Sequence, residues 1–433
     1  MTVKDCHGLE MTGASARAAE LYQTARERFH RYQGDSFTPL TAALADSPQF
    51  VMAHALKAWM TLVAANTEVA AMGIEAYQAA RDLAMNTREA GHIAAIGALL
   101  AGEVRAAARI MEEVSAQFPH DVLALQTGQT LDFLLGDSRM LRDRIAAALP
   151  HWSADRPEWH AIQGLHAFGL EETGLYERAE AAGRECVELE PRNNWGQHAV
   201  AHVMVMQGRH ADGVRWMLHE NTAWQSEAQL GVHNWWHTAL FQLGLGDTDA
   251  VLKLYDGPIY GDEATTFAFD MVDSAALLWR LQLKGVDVGA RWTRLADNFA
   301  SEPHGRSAFV DTHAMLAFVG AGQTERAQAL LAAQMAAIEG PGDNAEFVRV
   351  AGLGACQAIQ AFGEGAYAKA AVLLSDVRAR THRFGGSHAQ RDVLELTLLA
   401  AARRSGDTAL EAALIAERAG AIPLPEYARA LAA

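Results

Sequence analysis

Two histidine pairs, each spaced by four positions, are the residues of this sequence whose types and spacing most directly suggest chemistry. His198 and His202 form the first pair, and His233 and His237 form the second. Because four residues of an α-helix return to the same face, the two imidazoles of each pair are expected to be neighbours. Imidazoles bind divalent metal ions and titrate near neutral pH, so such pairs suit a metal site or acid–base catalysis.

Further polar side chains could complete a site around these histidines. His237 lies nine residues before Gly246, and His313 lies nine residues before Gly322, so the two histidines precede a glycine by the same distance. Stacked helical hairpins could therefore point both histidines towards one groove. The other candidates for this site are Asn234, Trp236, Asp270, Asp273 and Asp311, and the candidate metal ligands are His198, His202, His233, His237 and His313.

Three interpretations of these residues are open. A site for a divalent metal ion needs imidazoles and a carboxylate, which the pairs and the aspartates could supply, although no HExxH motif occurs. A site for an organic ligand or for acid–base chemistry would use histidines tuned by aspartates and walled by tryptophans. Those tryptophans are Trp195, Trp216, Trp224, Trp235 and Trp236. Alternatively, the histidines are structural groups held by packing and hydrogen bonds, the commoner role for any single buried histidine.

Glycines at regular intervals predict the helices that must position these side chains. Each glycine ends one apolar-periodic helix and precedes another; they are Gly102, Gly136, Gly174, Gly208, Gly246, Gly322 and Gly365. The first four intervals are 34, 38, 34 and 38 residues. The tetratricopeptide repeat, two helices joined by a tight turn, has a period of about 34 residues. In the two most regular units a proline, Pro119 or Pro191, follows the glycine by 17 residues and marks the end of the unit.

This spacing predicts an all-α protein, a right-handed α-solenoid of tetratricopeptide-like helical hairpins that forms one domain. We expect a helical cap over residues 1–65, regular repeats over 66–250, an irregular insertion over 251–310 and further repeats over 311–433. The helix before Gly208 departs from the repeat, because His198 and His202 stand where the pattern prefers leucine and tyrosine. A simple peptide-binding groove is therefore not expected at that helix.

Composition and charge limit the classes of function. With 36 basic and 52 acidic residues, the chain has a formal charge of -16 and would repel a nucleic acid. The three cysteines, Cys6, Cys186 and Cys356, form no CxxC pair, which is typical of a reducing compartment. The sequence has neither a signal-peptide pattern at its start nor a run of about 18 apolar residues. We therefore expect a soluble, cytoplasmic protein that binds neither nucleic acid nor membrane.

Five strings together resemble the tetratricopeptide repeat protein 38 family. They are HAVAHVMVMQGR from His198, HNWWHTAL from His233, DMVDSAALLWRLQLKGVDVGARW from Asp270, DTHAMLAF from Asp311 and GGSHAQRDV from Gly385. The resemblance covers at least residues 160–395 and implies the solenoid fold, but it implies no defined activity. It adds Arg391 to the candidates, whose guanidinium could clamp a carboxylate or a phosphate, or could pair internally with Asp392.

The sequence supports hypotheses from three classes of function. The first is a binding module that holds a small molecule or a segment of a partner protein at its histidine-rich centre. The alternative is an enzyme of the same fold that uses the histidines and aspartates for metal-assisted or acid–base chemistry on a small amide or ester. A scaffold with a satisfied polar core is the third. Each class is compatible with a homo-oligomer.

Overall fold

The computed structural model describes residues 3–63, 67–220, 222–262 and 266–421. All regular elements in these ranges are helices, and the β-type pairing there consists of two isolated bridges, Lys4 with Glu10 and Gln33 with Ala228. The predicted all-α class is therefore confirmed. Within the same ranges, no helix has the length and apolar character that crossing a membrane would require.

The chain divides into two compact units. Unit 1 comprises Met1–Val203 and Asn221–Gly231, and unit 2 comprises Met204–Glu220 and Val232–Ala433. The first histidine pair belongs to unit 1, and the second pair belongs to unit 2, together with Asp273 and His313. Each unit therefore contains one of the two histidine pairs.

Unit 1 is built from consecutive helices that pack in sequence, as α3 with α4, α5 with α6 and α9 with α10. Its helices are α1 (Ala16–Arg31), α2 (Phe37–Asp46), α3 (Val51–Leu62), α4 (Thr67–Ala80), α5 (Thr87–Leu100), α6 (Val104–Gln117), α7 (Val122–Leu134), α8 (Ser138–Ala148), α9 (Trp159–Glu171), α10 (Tyr176–Leu189) and α11 (Asn194–Met206), whose last residues enter unit 2. Side-chain caps begin several of these helices; Asn86 and Glu89, for example, form a capping box at α5.

Unit 2 contains the remaining α-helices and three π-helical turns. The α-helices are α12 (His210–Arg215), α13 (Gly231–Leu245), α14 (Thr248–Leu254), α15 (Ala268–Leu283), α16 (Arg291–Ala300), α17 (Ala308–Gly320), α18 (Thr324–Ile338), α19 (Asp343–Phe347), α20 (Leu353–Gly363), α21 (Tyr367–Val377), α22 (His388–Ser405) and α23 (Thr408–Ala421). The π-helical turns are Trp216–Glu220, Tyr255–Ile259 and Val348–Gly352. Helix α15 is central, because it packs on α16, α17 and α22.

The glycines that the repeat analysis selects lie in the turns between helices. All seven have left-handed backbone angles, with φ between 64 and 83°. At Gly174 an added Cβ would meet no atom within 4 Å, so backbone conformation rather than space requires glycine there. Gly406, which the sequence analysis does not include, ends α22 in the same way with φ 77°. The predicted turn role of these glycines is confirmed.

Small residues bring α9, α10 and α11 close together in unit 1. A Cβ on Gly196 of α11 would lie 2.5 Å from Sγ of Cys186 on α10, and a Cβ on Gly164 of α9 would lie 3.2 Å from the same sulfur. Cys186 is fully buried, and burial raises the pKa of its thiol. Its role is therefore packing, and this packing places α11 beside α9.

Candidate functional site

The first histidine pair is buried on α11. The ring centroids of His198 and His202 are 4.4 Å apart and their planes meet at 75°, so the imidazoles are neighbours as the spacing predicts. Phe168 of α9 lies 5.5 Å from the first ring and 5.4 Å from the second, and Trp195 covers His198 at 4.8 Å. Aromatic side chains of α9 and α11 thus pack against both imidazoles.

Two carboxylates that the sequence analysis does not select lie against this pair. Glu171 is the last residue of α9, Glu172 follows it, and their exposed fractions are 1% and 3%. Oε2 of Glu171 is 3.4 Å from Nδ1 of His202. Glu171, Glu172 and His202 each offer one ligand atom, and these three atoms lie within 4.8 Å of one another. We call Glu171, Glu172, His198 and His202 the Glu–His site.

The position of the two glutamates is the sequence signal that could have identified them. The C-terminal end of a helix carries a partial negative charge and favours cations, yet α9 ends on two adjacent carboxylates. The charges of the two glutamates also affect Tyr176 of α10. Burial raises the pKa of that phenol, and the charges of Glu171 and Glu172 raise it further. Ser138 donates a 3.4 Å hydrogen bond to Oε2 of Glu172. The Glu–His site therefore combines buried negative charge with imidazole nitrogen.

The second histidine pair lies on α13 in unit 2. The ring centroids of His233 and His237 are 4.8 Å apart, with the planes at 85°. Trp236 stacks on His233 at 5.3 Å, and the guanidinium of Arg280 from α15 lies 5.6 Å from the Trp236 ring. His237 is completely buried, whereas the side chain of His233 keeps 15% of its surface exposed. His233 is therefore the member of this pair that solvent reaches.

His233 is hydrogen-bonded to one of the predicted aspartates. Its Nδ1 lies 2.6 Å from Oδ2 of Asp273 on α15, and Nε2 of Gln390 on α22 donates to Oδ1 of the same carboxylate at 3.3 Å. Because the carboxylate accepts, Nδ1 carries the proton and Nε2 carries the lone pair of the neutral ring. A carboxylate that fixes the tautomer of an imidazole is found beside metal ligands and beside catalytic bases alike.

His313 is buried in unit 2, and burial determines its charge state. Its Nδ1 donates to the carbonyl of Phe309 at 2.9 Å. Burial lowers the pKa of His313 to about 4, although the Phe309 carbonyl and the charge of Asp273 oppose that shift. Its Nε2 is buried without a hydrogen-bond partner among the described residues. His313 is therefore neutral at physiological pH.

Asp311, at the first turn of α17, serves a local structural role. Its carboxylate accepts from the backbone nitrogen of Gly305 at 3.0 Å and from Gln334 at 3.4 Å, and it lies 3.5 Å from His304. These contacts tie the segment before α17 to α18. The contacts that the structure gives for Asp311 therefore connect it to this segment rather than to His233.

Three other candidates have separate surroundings. The charge of Asp270 acts on Tyr260, whose pKa is raised chiefly by burial. Arg391 donates to the carbonyls of Gly385 and Gly386 and so holds the loop before α22. Asp392, its alternative internal partner, is paired with Arg418 instead. Asn234 is fully buried, and its backbone carbonyl accepts a hydrogen bond from Thr238 at 3.0 Å.

No known protein-family model matches this chain. Its chemistry must therefore be inferred from the contacts of its own residues. Unit 1 offers two carboxylates with imidazole, and unit 2 offers an imidazole oriented by one carboxylate.

Proposed function

We propose that this protein is an α-solenoid of tetratricopeptide-like hairpins that binds a divalent transition-metal ion at the Glu–His site of unit 1. The solenoid part is supported by the regular turn glycines and by the packing of consecutive helices. Membership in the tetratricopeptide repeat protein 38 family belongs to the same proposal. One observation carries the metal part: ligand atoms of Glu171, Glu172 and His202 lie within 4.8 Å of one another.

Burial makes this cluster different from an ordinary surface cluster of acids. The negative end of a helix favours cations, and here two adjacent carboxylates are buried at that end. A divalent ion neutralises both carboxylates at once. It also coordinates the lone pair of a neutral imidazole.

The chemistry of the donors selects the class of ion. Carboxylate oxygen and imidazole nitrogen suit zinc, manganese and iron in the divalent state, whereas a thiolate-rich set would favour copper(I). The Glu–His site contains no sulfur ligand. His198, whose ring is 4.4 Å from that of His202, is the nearest further nitrogen donor on α11. We therefore expect two glutamates and one or two histidines around the ion.

The metal content of purified protein tests this function. The untagged protein is loaded with zinc, manganese or iron(II), desalted and analysed by elemental mass spectrometry. His202→Ala should lose the bound metal. His166→Ala is the matched control. His166 lies on α9, is buried like His202, and is outside the cluster. Equal metal content in the wild type, His202→Ala and His166→Ala would refute the proposal, as would loss of all three metals on desalting the wild type.

General acid–base catalysis in unit 2 is a second candidate, favoured by the 2.6 Å contact between His233 and Asp273. The oriented imidazole would take a proton from water or from a substrate at Nε2. A panel of activated esters and amides provides the probe. Asp273→Asn should lower the hydrolysis rate by about 10² or more, while the metal content of unit 1 stays unchanged. A rate that is equal in wild type and Asp273→Asn would exclude this chemistry.

We also propose a cytoplasmic location. All three cysteines are free, as expected in a reducing compartment. Fractionation of the native host, with detection of the chain by antibody, tests this proposal; recovery in an oxidising compartment would contradict it.

A further inference from the structure

A second polar cluster of unit 1 shares no residue with the Glu–His site. We call its members, Asp5, Cys6, His7, Arg26 and Glu158, the Cys6 cluster. The bridge between Lys4 and Glu10 closes a tight turn, in which the nitrogen of Asp5 donates to the carbonyl of Leu9 at 2.9 Å. This turn places Cys6 and His7 beside Arg26 of α1 and beside Glu158, which directly precedes α9.

One guanidinium connects the acidic and sulfur atoms of the Cys6 cluster. Nη2 of Arg26 lies 2.9 Å from Oε2 of Glu158 and 3.3 Å from Sγ of Cys6. Its Nη1 lies 3.0 Å from Oδ2 of Asp5. The side chain of Arg26 is almost completely buried, whereas Cys6 is exposed. The structure thus presents an exposed cysteine whose sulfur contacts a fixed cation.

The neighbouring histidine supplies a second positive charge. Nε2 of His7 lies 2.7 Å from Oε2 of Glu158, and the His7 side chain is fully buried. Burial alone would lower the pKa of His7, but the nearby Cys6 and the Glu158 carboxylate raise it to about 9. Nδ1 of His7 is buried without a hydrogen-bond partner among the described residues. His7 is therefore an imidazolium at neutral pH and can give up a proton beside the sulfur.

Glu158 is held in a conformation that a non-glycine residue rarely adopts. Its φ is 63°, which costs about 1 kcal/mol or more relative to a right-handed angle. Burial would raise the pKa of its carboxyl, but Arg26, His7 and His30 together hold that pKa well below its usual range. Glu158 is therefore a permanent carboxylate on a strained backbone. It orients His7 in the way that the acidic member of a catalytic triad orients the base.

We propose that the Cys6 sulfur, which lies 3.3 Å from Nη2 of Arg26, is a reactive nucleophile whose co-reactant is a small peroxide. The thiolate sulfur attacks one peroxide oxygen, the O–O bond breaks, and the departing hydroxide takes a proton from the His7 imidazolium to become water. Cysteine is oxidised to sulfenic acid, and the peroxide is reduced. A metal ion fits these residues less well, because Arg26 already occupies lone pairs of Sγ and Glu158 and adds positive charge.

Chemical trapping of the sulfenic acid tests this proposal, with the other two cysteines as internal controls. The full-length protein is treated with hydrogen peroxide, sulfenic acid is captured with dimedone, and the labelled peptides are quantified by mass spectrometry. Cys186 and Cys356 are fully buried, and burial raises the pKa of both thiols. Cys6 should therefore react at least about tenfold faster than either one, and about tenfold faster than Cys6 in the urea-unfolded chain.

Variants separate the contributions of the two cations. Arg26→Lys and His7→Gln should each slow labelling of Cys6, whereas His151→Gln, a change at an exposed histidine, should leave it unaltered. Circular dichroism establishes that each variant is folded, and the unfolded chain provides the baseline if Arg26→Lys is not. Folded-state reactivity of Cys6 no greater than that baseline would overturn the proposal. So would a stoichiometric zinc ion that only Cys6→Ser removes, since Cys6 would then be a metal ligand.

Discussion

The two histidine pairs have the same spacing in their helices but different carboxylate partners. In unit 1, two carboxylates approach His202, and the closest oxygen is 3.4 Å from its ring nitrogen. In unit 2, the carboxylate of Asp273 lies 2.6 Å from Nδ1 of His233 and accepts a hydrogen bond from Gln390. The proposed cation site and the proposed oriented base therefore differ in their carboxylates, although the histidine spacing is identical.

Removal of the unit 1 carboxylates should have the largest effect. Glu171→Gln with Glu172→Gln keeps the shape of the site and deletes both negative charges, so zinc affinity should fall by at least about 100-fold. Isothermal titration calorimetry measures Kd. Glu185→Gln, on the exposed surface of α10, is the control. An unchanged Kd in the double variant would mean that unit 1 does not select a cation by its carboxylates.

Loss of the Asp273 carboxylate in unit 2 should change the stability of the protein rather than its metal binding. Asp273→Ala leaves the partner groups of His233 and Gln390 without this buried acceptor, which should lower the free energy of unfolding by about 2–3 kcal/mol. Urea denaturation monitored by circular dichroism measures this difference. Asp273→Asn, which retains an acceptor oxygen, should lose less. An unchanged free energy of unfolding in both variants would show that the contact contributes no hydrogen-bond energy.

Acid should destabilise both units through buried neutral histidines. Burial lowers the pKa to about 4 at His166 in unit 1 and at His313 in unit 2. The unfolded chain binds these protons below about pH 6.5, while the folded chain does not. The two neutral histidines therefore make their full contribution to the free energy of unfolding above that pH. Each contribution is lost as the pH falls towards 4, by about 1–2 kcal/mol.

Substitution of either histidine tests this pH dependence. His166→Gln and His313→Gln should each flatten the loss of stability between pH 7 and 5, as measured by urea denaturation at each pH. Asp121 and Glu158, whose pKa values lie well below their usual range, lose their contribution only in stronger acid. An unaltered slope in both variants would show that neither histidine is neutral in the folded protein.

Substitution of the turn glycines should change the free energy of unfolding least, and by the same amount in the two units. Gly174 in unit 1 and Gly246 in unit 2 have φ of 77 and 83°, and an added Cβ would meet no atom within 4 Å at either position. Alanine at each position should cost about 1 kcal/mol of folding free energy by urea denaturation, without changing zinc affinity. A cost confined to one unit would contradict the equivalence of these turns.

Local patterns predict much of this molecule. The helices and their turn glycines follow from short-range periodicity, and the adjacency of His198 to His202 follows from helix geometry alone. The contact between His233 and Asp273 joins two predicted candidates, but its geometry depends on how α13 and α15 pack. Sequence periodicity carries no information about such a distance.

Contacts between distant residues account for what the sequence did not reveal. His7 and Glu158 are separated by 151 positions, and no repeating pattern relates them. Glu171 and Glu172 belong to an ordinary repeat unit, and only their place against the helix dipole sets them apart. Conversely, Asp311 and Arg391 have the right chemistry for a site, yet their described contacts are with nearby loops.

X-ray absorption spectroscopy of the zinc-loaded, desalted protein tests the central claim most directly. The Glu–His site predicts nitrogen and oxygen neighbours at about 2.0–2.1 Å with imidazole scattering and no sulfur. His202→Ala should remove the bound zinc and its imidazole signal together. A sulfur neighbour at about 2.3 Å, or a spectrum without imidazole, would contradict the assignment of the metal to Glu171, Glu172 and His202.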